Sequence, residues 1–250
     1  MTRQIPNFFT LLNLVFGCLA IVAILQNGIV IRYDAQLIDI PEKIWMASAF
    51  IGLAALVDFL DGFVARIFKA TSAIGKQLDS LADIVSFGVA PSLIIYQFLR
   101  LSLASDTDGI NASIFWLAPA FLIACASAWR LATFNLDESQ ALGFKGMPTP
   151  VTGLLVASLP LIYWNDENER LTNLILNKWF LYGIILLLSW LMVSRIPMMA
   201  LKFKDRSIQK NIPKIILLIG AIIAAILFQW LAIPMVFVLY IILSLSFKQP

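Results

Sequence analysis

Between Arg3 and Arg32 the chain carries no charged residue, and none occurs from Ile215 to Phe247 either. Apolar runs of this length constrain the fold more than any other feature. A helix needs roughly 20 mostly apolar residues to cross a bilayer, whereas a closed membrane barrel shows alternating stretches of about 10. The runs here do not alternate, so the expected fold is an all-α polytopic membrane protein, a bundle of about eight transmembrane helices. The spans are predicted near 8–27, 44–66, 74–99, 113–135, 150–164, 178–195, 213–229 and 232–247. Only the Gln229-Trp230-Leu231 region and Pro234 separate the last two, which read either as a tight hairpin or as one broken segment. The first run lacks a signal-peptide cleavage pattern and is long enough to stay as a membrane helix. Composition agrees: only 13% of residues are charged, where a soluble domain carries about a quarter.

Orientation follows from Lys and Arg. With the N-terminus inside and eight spans, thirteen of the 18 fall on the inner side, leaving Arg32, Lys43, Arg100, Arg170 and Lys178 outside. That bias predicts a cell (inner) membrane protein whose basic face meets the cytoplasm. The basic stretch at 195–206 reads as a topology anchor beside anionic membrane lipid. No nucleic-acid partner is expected, because the basic residues border membrane spans and no RNA-binding motif is present. Histidine is absent, which excludes Ser-His-Asp and Cys-His catalysis and histidine metal sites. Cys18 and Cys125 lie in apolar runs and read as small buried hydrophobes. The tryptophans and phenylalanines read as lipid-facing or interfacial mass.

Of the 15 acidic residues, eleven lie in predicted loops or at span edges. The other four, Asp58, Asp61, Asp79 and Asp83, lie within or at the inner ends of the second and third spans. A carboxylate near hydrocarbon costs about 2.5–3.5 kcal/mol even on the mildest scale, so four in close succession demand counter-charges or metal ions. Asp58 and Asp61 are three apart and Asp79 and Asp83 four apart, so each pair shares a helical face. Asp58, Asp61, Gly62 and Ala65 form one stripe; Gly75, Asp79, Asp83 and Ser86 form another. The short connection at 68–74 makes the two helices antiparallel neighbours, with the stripes facing each other. Gly62, Ala65 and Gly75 allow a ligand or a partner helix close to the backbone, and Arg66 is placed to hold a phosphate. Carboxylates without histidine or thiolate select a hard ion, Mg²⁺ or Mn²⁺. Acids, hard metal, arginine and small residues together describe a diphosphate site built for phosphoryl transfer in lipid.

These residues read Asp58-x-x-Asp61-Gly62-x-x-Ala65-Arg66, then eight residues, then Gly75-x-x-x-Asp79-x-x-x-Asp83. The pattern resembles the signature of the CDP-alcohol phosphotransferase family at every defining position. Four further segments are similar to runs in the serine-using branch of that family. They are Ile5-Pro6-Asn7-Phe8-Phe9-Thr10-Leu11-Leu12-Asn13-Leu14 with Gly17, Arg130-Leu131-Ala132-Thr133-Phe134-Asn135, Phe144-Lys145-Gly146-Met147-Pro148-Thr149-Pro150, and Leu191-Met192-Val193-Ser194. Thr133 stands where that branch has a second arginine, and Thr149 in the usual serine place.

The resemblance implies a six-helix catalytic core, with residues 1–212 as the catalytic bundle and 213–250 as a C-terminal transmembrane hairpin. It also implies displacement of CMP from a CDP-linked lipid by an alcohol, with CDP-diacylglycerol and L-serine as substrates, and a homodimer. By the same resemblance Asp58, Asp61 and Asp79 hold the metal, Asp83 shares a second ion and acts as general base, and Asp58, Gly62, Ala65, Arg66, Gly75, Asn7 and Thr10 border the CDP group. Serine carries a carboxylate and an ammonium, so its pocket needs a cation and an amide or hydroxyl; Arg130, Asn135 and Lys145 are the candidates. Blander readings stand beside these. Arg130 could snorkel to headgroups, Pro148 and Pro150 could merely end a loop, and Thr10 and Asn13 could be satisfied by helix contacts. The alternatives are a related enzyme using glycerol 3-phosphate or an inositol-type acceptor and, from another class, an ion-coupled transporter, for which no inverted repeat is visible.

Overall fold

The computed structural model describes residues 5–32, 37–67, 72–104, 112–136, 144–199 and 208–247; at residues 5, 31, 32, 37, 65–67, 144, 145 and 208–210, Ala65, Arg66 and Lys145 among them, only the backbone is described. All eight predicted apolar segments are helical. α1 (Ile5–Gln26) runs without a break to Asn27-Gly28, and α2 (Trp45–Ile67) follows a 3₁₀ turn begun by Pro41. The third predicted span is three pieces in sequence: α3 (Ala73–Asp83), a six-residue π segment (Ile84–Val89) and α4 (Ala90–Ala104). The fourth starts as a short α5 (Ile114–Leu117), passes through a 3₁₀ turn containing Pro119, and continues as α6 (Leu122–Leu136). α7 (Thr149–Asn165) starts at the Pro148-Thr149-Pro150 run. α8 (Glu169–Ile175) occupies a stretch read as loop, with Asn168 capping its start, and is bent by 63° from α9 (Lys178–Val193). Two short antiparallel pairings join the loops: β1 (Val30–Arg32) with β2 (Leu37–Asp39), and β3 (Phe144–Lys145) with β4 (Pro197–Met198).

The C-terminal ambiguity resolves into a hairpin. α10 (Ile208–Phe228) and α11 (Ala232–Ser246) are joined by a 3₁₀ turn in which Gln229 takes a positive φ of 48°, and they pack on each other closely enough that Gly220 faces Leu239. Among the described residues, five helical stretches, or six counting the bent α8–α9 pair, are long and apolar enough to cross a membrane. The chain is an all-α membrane protein.

The π segment is where the bundle is tightest. Three helices reach its backbone because each contact involves a glycine. A Cβ on Gly17 of α1 would lie 2.9 Å from Cα of Ser86, one on Gly153 of α7 would lie 3.0 Å from Cα of Phe87, and one on Gly88 would lie 3.1 Å from Cβ of Ser127 in α6. Small residues allow this approach where no water-driven collapse operates between helices. Phe87, Ile94, Ile95, Phe98 and Leu99 continue the fully buried spine along α4. α10 and α11 sit outside this core, reaching it chiefly through α7. Cys18 and Cys125, read above as buried, are both exposed free thiols. An apolar run that faces lipid need not be buried in protein, so hydropathy alone misplaced them. Six of the seven tryptophans are exposed, as a lipid-facing or interfacial role requires.

Candidate active site

α1, α2 and α3 come together at one end of the bundle and bring the four aspartates with them. Ser72 sets the start of α3 by accepting a hydrogen bond from the Gly75 backbone N–H at 2.9 Å. This cap starts the helix that places Asp79, while Asp58 and Asp61 approach from the last three turns of α2. One carboxylate oxygen from each of Asp58, Asp61 and Asp79 lies within 4.8 Å of the other two. Asp58 and Asp79 are in hydrogen-bond contact, although two ionised carboxylates repel at this range. One oxygen of Asp79 is buried with no partner. An all-oxygen donor set, mutually repelling and with an unsatisfied atom, fits a hard divalent cation.

Asp83 lies outside that triplet. It is buried, and its Oδ1 accepts from Nδ2 of Asn13 at 3.1 Å. Asn13 is held in turn: its backbone carbonyl accepts from the Ser86 hydroxyl in the π segment at 3.0 Å. The hydroxyl of Thr10 donates to Oδ2 of Asp61 at 2.7 Å. Thus α1 supplies one polar side chain to each pair of acids: Thr10, expected beside the CDP group, reaches Asp61, and Asn13 reaches Asp83, so contacts within the helix do not account for either. The Pro6-Asn7…Thr10…Asn13 spacing, one face of a helix, was the available signal.

A cavity of about 510 Å³ opens on this cluster. Asn7, Thr10, Asp61, Gly62, Gly75 and Asp79 line it, together with Ser72 and Lys76. Among the described residues a Cβ on Gly62 would meet nothing within 4 Å, so this glycine leaves open space on the cavity wall. At Gly75 a Cβ would come within 3.0 Å of Asn7 Oδ1, so its missing side chain gives Asn7 its place. Lys76 is a cation in this wall that the sequence reading counted only for topology. The side chains of Ala65 and Arg66 lie outside the described residues.

The residues proposed for the acceptor divide. Arg130 is buried, 8% exposed, and does not snorkel. Its Nη1 donates to Thr149 Oγ1 at 3.2 Å, its guanidinium lies 5.8 Å from the Phe134 ring centroid, and its Nε has no partner. It is within electrostatic reach of Asp83. Asn135 is held by α3 at two points: Nδ2 donates to Ser80 Oγ at 2.8 Å, and its carbonyl accepts from Lys76 Nζ at 3.0 Å. The Lys145 side chain lies outside the described residues. Its neighbour Gly146, at φ 79°, presses on the end of α9, where a Cβ would meet the Met192 carbonyl at 2.6 Å. This glycine anchors the loop that delivers Thr149 to Arg130.

The family pattern of CDP-alcohol phosphatidyltransferase matches residues 3–194, all four aspartates included. The chain belongs to this family. Among curated relatives, a CDP-diacylglycerol–serine O-phosphatidyltransferase of Helicobacter pylori (strain J99) is 34% identical over 193 residues, 76% of this chain and 70% of that protein. The Bacillus subtilis (strain 168) protein of the same name is 32% identical over 161 residues, 64% of this chain and 77% of its own. The Saccharomyces cerevisiae protein of that name is 33% identical over 165 residues, covering 62% and 53%. The family match ends one residue after α9, so it takes in the three site helices and the α6–α7 region around Arg130 but not α10 or α11. In this member the acid cluster, the α1 side chains that brace it and the cavity before it all lie inside the matched span.

Proposed function

We propose that the chain transfers the phosphatidyl group of CDP-diacylglycerol to the hydroxyl of L-serine, releasing CMP and forming phosphatidylserine. The arrangement that carries this reading is the separation of three clustered carboxylates from a fourth, Asp83, which Asn13 holds apart and Arg130 faces. The names of the relatives favour serine as the acceptor.

Asp58, Asp61 and Asp79 would hold Mg²⁺ or Mn²⁺ in this reading. Bound there, such an ion would draw charge from the diphosphate oxygens and make CMP a better leaving group. Gly62 leaves space for the nucleotide, Asn7 and Thr10 border it, and Lys76 supplies positive charge to the same wall. A serine hydroxyl is a weak nucleophile at neutral pH and needs a positioned base. Asp83 takes its proton. The serine oxygen then bonds to phosphorus as the bond from that phosphorus to the CMP oxygen breaks. Asn13 keeps Asp83 in place during this transfer, and Arg130, braced by Thr149, pairs with the serine carboxylate. Residues 1–212 carry the chemistry and 213–250 form an accessory hairpin; the chain works as a homodimer in the inner membrane, its site facing the cytoplasm.

The test uses purified protein with CDP-diacylglycerol and Mn²⁺ or Mg²⁺, offering serine, glycerol 3-phosphate and inositol in parallel while CMP is measured. Serine-dependent release that chelation abolishes is expected. Release with only glycerol 3-phosphate or inositol would move the assignment within the family, and release with none would remove the reaction. Arg130→Ala should raise the KM for serine more than that for CDP-diacylglycerol; equal effects on both would take Arg130 out of the acceptor pocket.

A further inference from the structure

A second cavity, of about 500 Å³, lies at the other end of the bundle, between the start of α2, the end of α7 and the turn joining α10 to α11. Ser48, on its wall, is about 15–20 Å along the α2 axis from Asp58 and Asp61. Glu42, Ser48, Gly52, Trp164, Asn165 and Trp230 give the cavity its character. Ser48 is 5% exposed, and among the described residues neither its hydroxyl nor the buried indole N–H of Trp164 has a hydrogen-bond partner. In a protein interior each such group costs about 1–3 kcal/mol, so an acceptor is expected for both. A Cβ on Gly52 would meet nothing within 4 Å, which leaves the space between them open. Glu42 stands exposed at the rim, and among the described residues no lysine or arginine lines the cavity. Leu154 and Ile233 line both this cavity and a neighbouring one of about 340 Å³ whose walls, Tyr240 apart, are wholly apolar.

We propose that these two cavities hold one resident glycerophospholipid with an ammonium headgroup, in the leaflet opposite the aspartate site. The hydroxyl of Ser48 and the indole N–H of Trp164 donate to its ester or phosphate oxygens. Glu42 pairs with its ammonium, and an acyl chain fills the apolar cavity between α7 and the α10–α11 hairpin. Tryptophans at such a level suit the interface between headgroup and chain. The lining selects the headgroup: a carboxylate without a basic residue favours an aminophospholipid over a purely anionic lipid.

The experiment reconstitutes the full chain in bilayers of equal phosphatidylethanolamine and phosphatidylglycerol, extracts it in mild detergent, and counts retained lipid by mass spectrometry of the intact complex. One aminophospholipid per chain is expected, enriched over phosphatidylglycerol. Gly52→Leu fills the cavity and should abolish retention. Glu42→Gln should keep a lipid but lower the enrichment about two- to fivefold, the worth of one exposed ion pair. CMP release by both variants, measured on the same samples, reports an intact fold and separates this outcome from the proposed reaction. If Gly52→Leu does not fold, Glu42→Gln decides alone. Equal retention of the two lipids by the wild type, retention unchanged by Gly52→Leu, or loss of a dimer on Gly52→Leu with no lipid present in the wild type would each overturn the proposal, the last by assigning the cavity to a second copy of the chain.

Discussion

In the helical stretch Ala73–Ala104, 61% of the most apolar window is buried inside the protein; in Asn211–Ser246 the share is 11%. Both stretches pass for membrane spans, yet they carry different polar content. The first buries Ser80, Asp83, Ser86, Ser92 and Gln97; the second buries Asn211 and Lys214 at its start and Ser244 at its end, and contains no acidic residue. Burial by protein explains the difference. A carboxylate can be retained at membrane depth where neighbouring helices donate to it, as Asn13 does to Asp83, and not where its neighbours are acyl chains. The family match follows the same division, covering the first stretch and ending before the second.

The sharpest probe of the protein-surrounded side removes one of the three clustered carboxylates proposed to hold the metal. Asp79→Asn should lower CMP release about a thousandfold, roughly 4 kcal/mol of barrier at 1.36 kcal/mol per decade. Asp83→Asn should also abolish turnover, but with CDP-lipid binding largely kept, as titration with the lipid would show. Lost binding would make Asp83 a ligand-holder instead of a base.

On the lipid-facing side the complementary change inserts a charge. Leu218 of α10 is 56% exposed, and Leu218→Asp places a carboxylate against acyl chains with no donor from another helix. The expected cost is about 2.5–3.5 kcal/mol, seen as a lower Tm in detergent–lipid mixtures and a smaller membrane-inserted fraction. CMP release per folded molecule should be unchanged. A variant that inserts as well as wild type would mean that protein or water, not lipid, covers this face.

An intermediate effect is expected where α1 braces the acids. Thr10→Val keeps the shape but removes the 2.7 Å hydrogen bond to Asp61. A hydrogen bond to a charged group is worth about 1.5–3 kcal/mol, so CMP release should fall about ten- to a hundredfold. Thr10→Ser, which keeps the hydroxyl, should restore most of it. Equal losses in the two variants would point to packing of the methyl group.

How far the sequence foretells this arrangement depends on the range of the interaction. The helical state of the eight apolar segments and the pairing of the acids at spacings of three and four were legible because hydrophobic run length and such spacings are local. The π segment was not: it lies where Gly17 of α1 and Gly153 of α7 bring distant parts of the chain against its backbone. The Asn13–Asp83 contact spans 70 residues and could not be read from either neighbourhood. Arg130 illustrates the same limit. Its place near a helix end allowed snorkelling, and only the loop anchored by Gly146 brings Thr149 over to bury it. Asn135 satisfied the chemistry expected of an acceptor-pocket amide, but Ser80 engages its side chain.

The smallest expected effect lies at the seam between the two regions. Tyr240 of α11 donates its hydroxyl to the Met199 carbonyl at 2.9 Å, and the Met199 backbone N–H donates to Ser244 Oγ at 3.1 Å. These bonds tie the outer hairpin to the segment after α9, and the Tyr240 ring also lines the apolar cavity beside α7. Tyr240→Phe deletes one neutral hydrogen bond and keeps the ring. The net worth of such a bond is about 0.5–1.5 kcal/mol, so the variant should melt at a slightly lower temperature with CMP release within about twofold of wild type. If the hairpin were part of the catalytic unit, removing its tether would instead lower turnover without a matching loss of stability. Measuring both on one preparation therefore decides whether the division at the end of α9 is functional as well as structural.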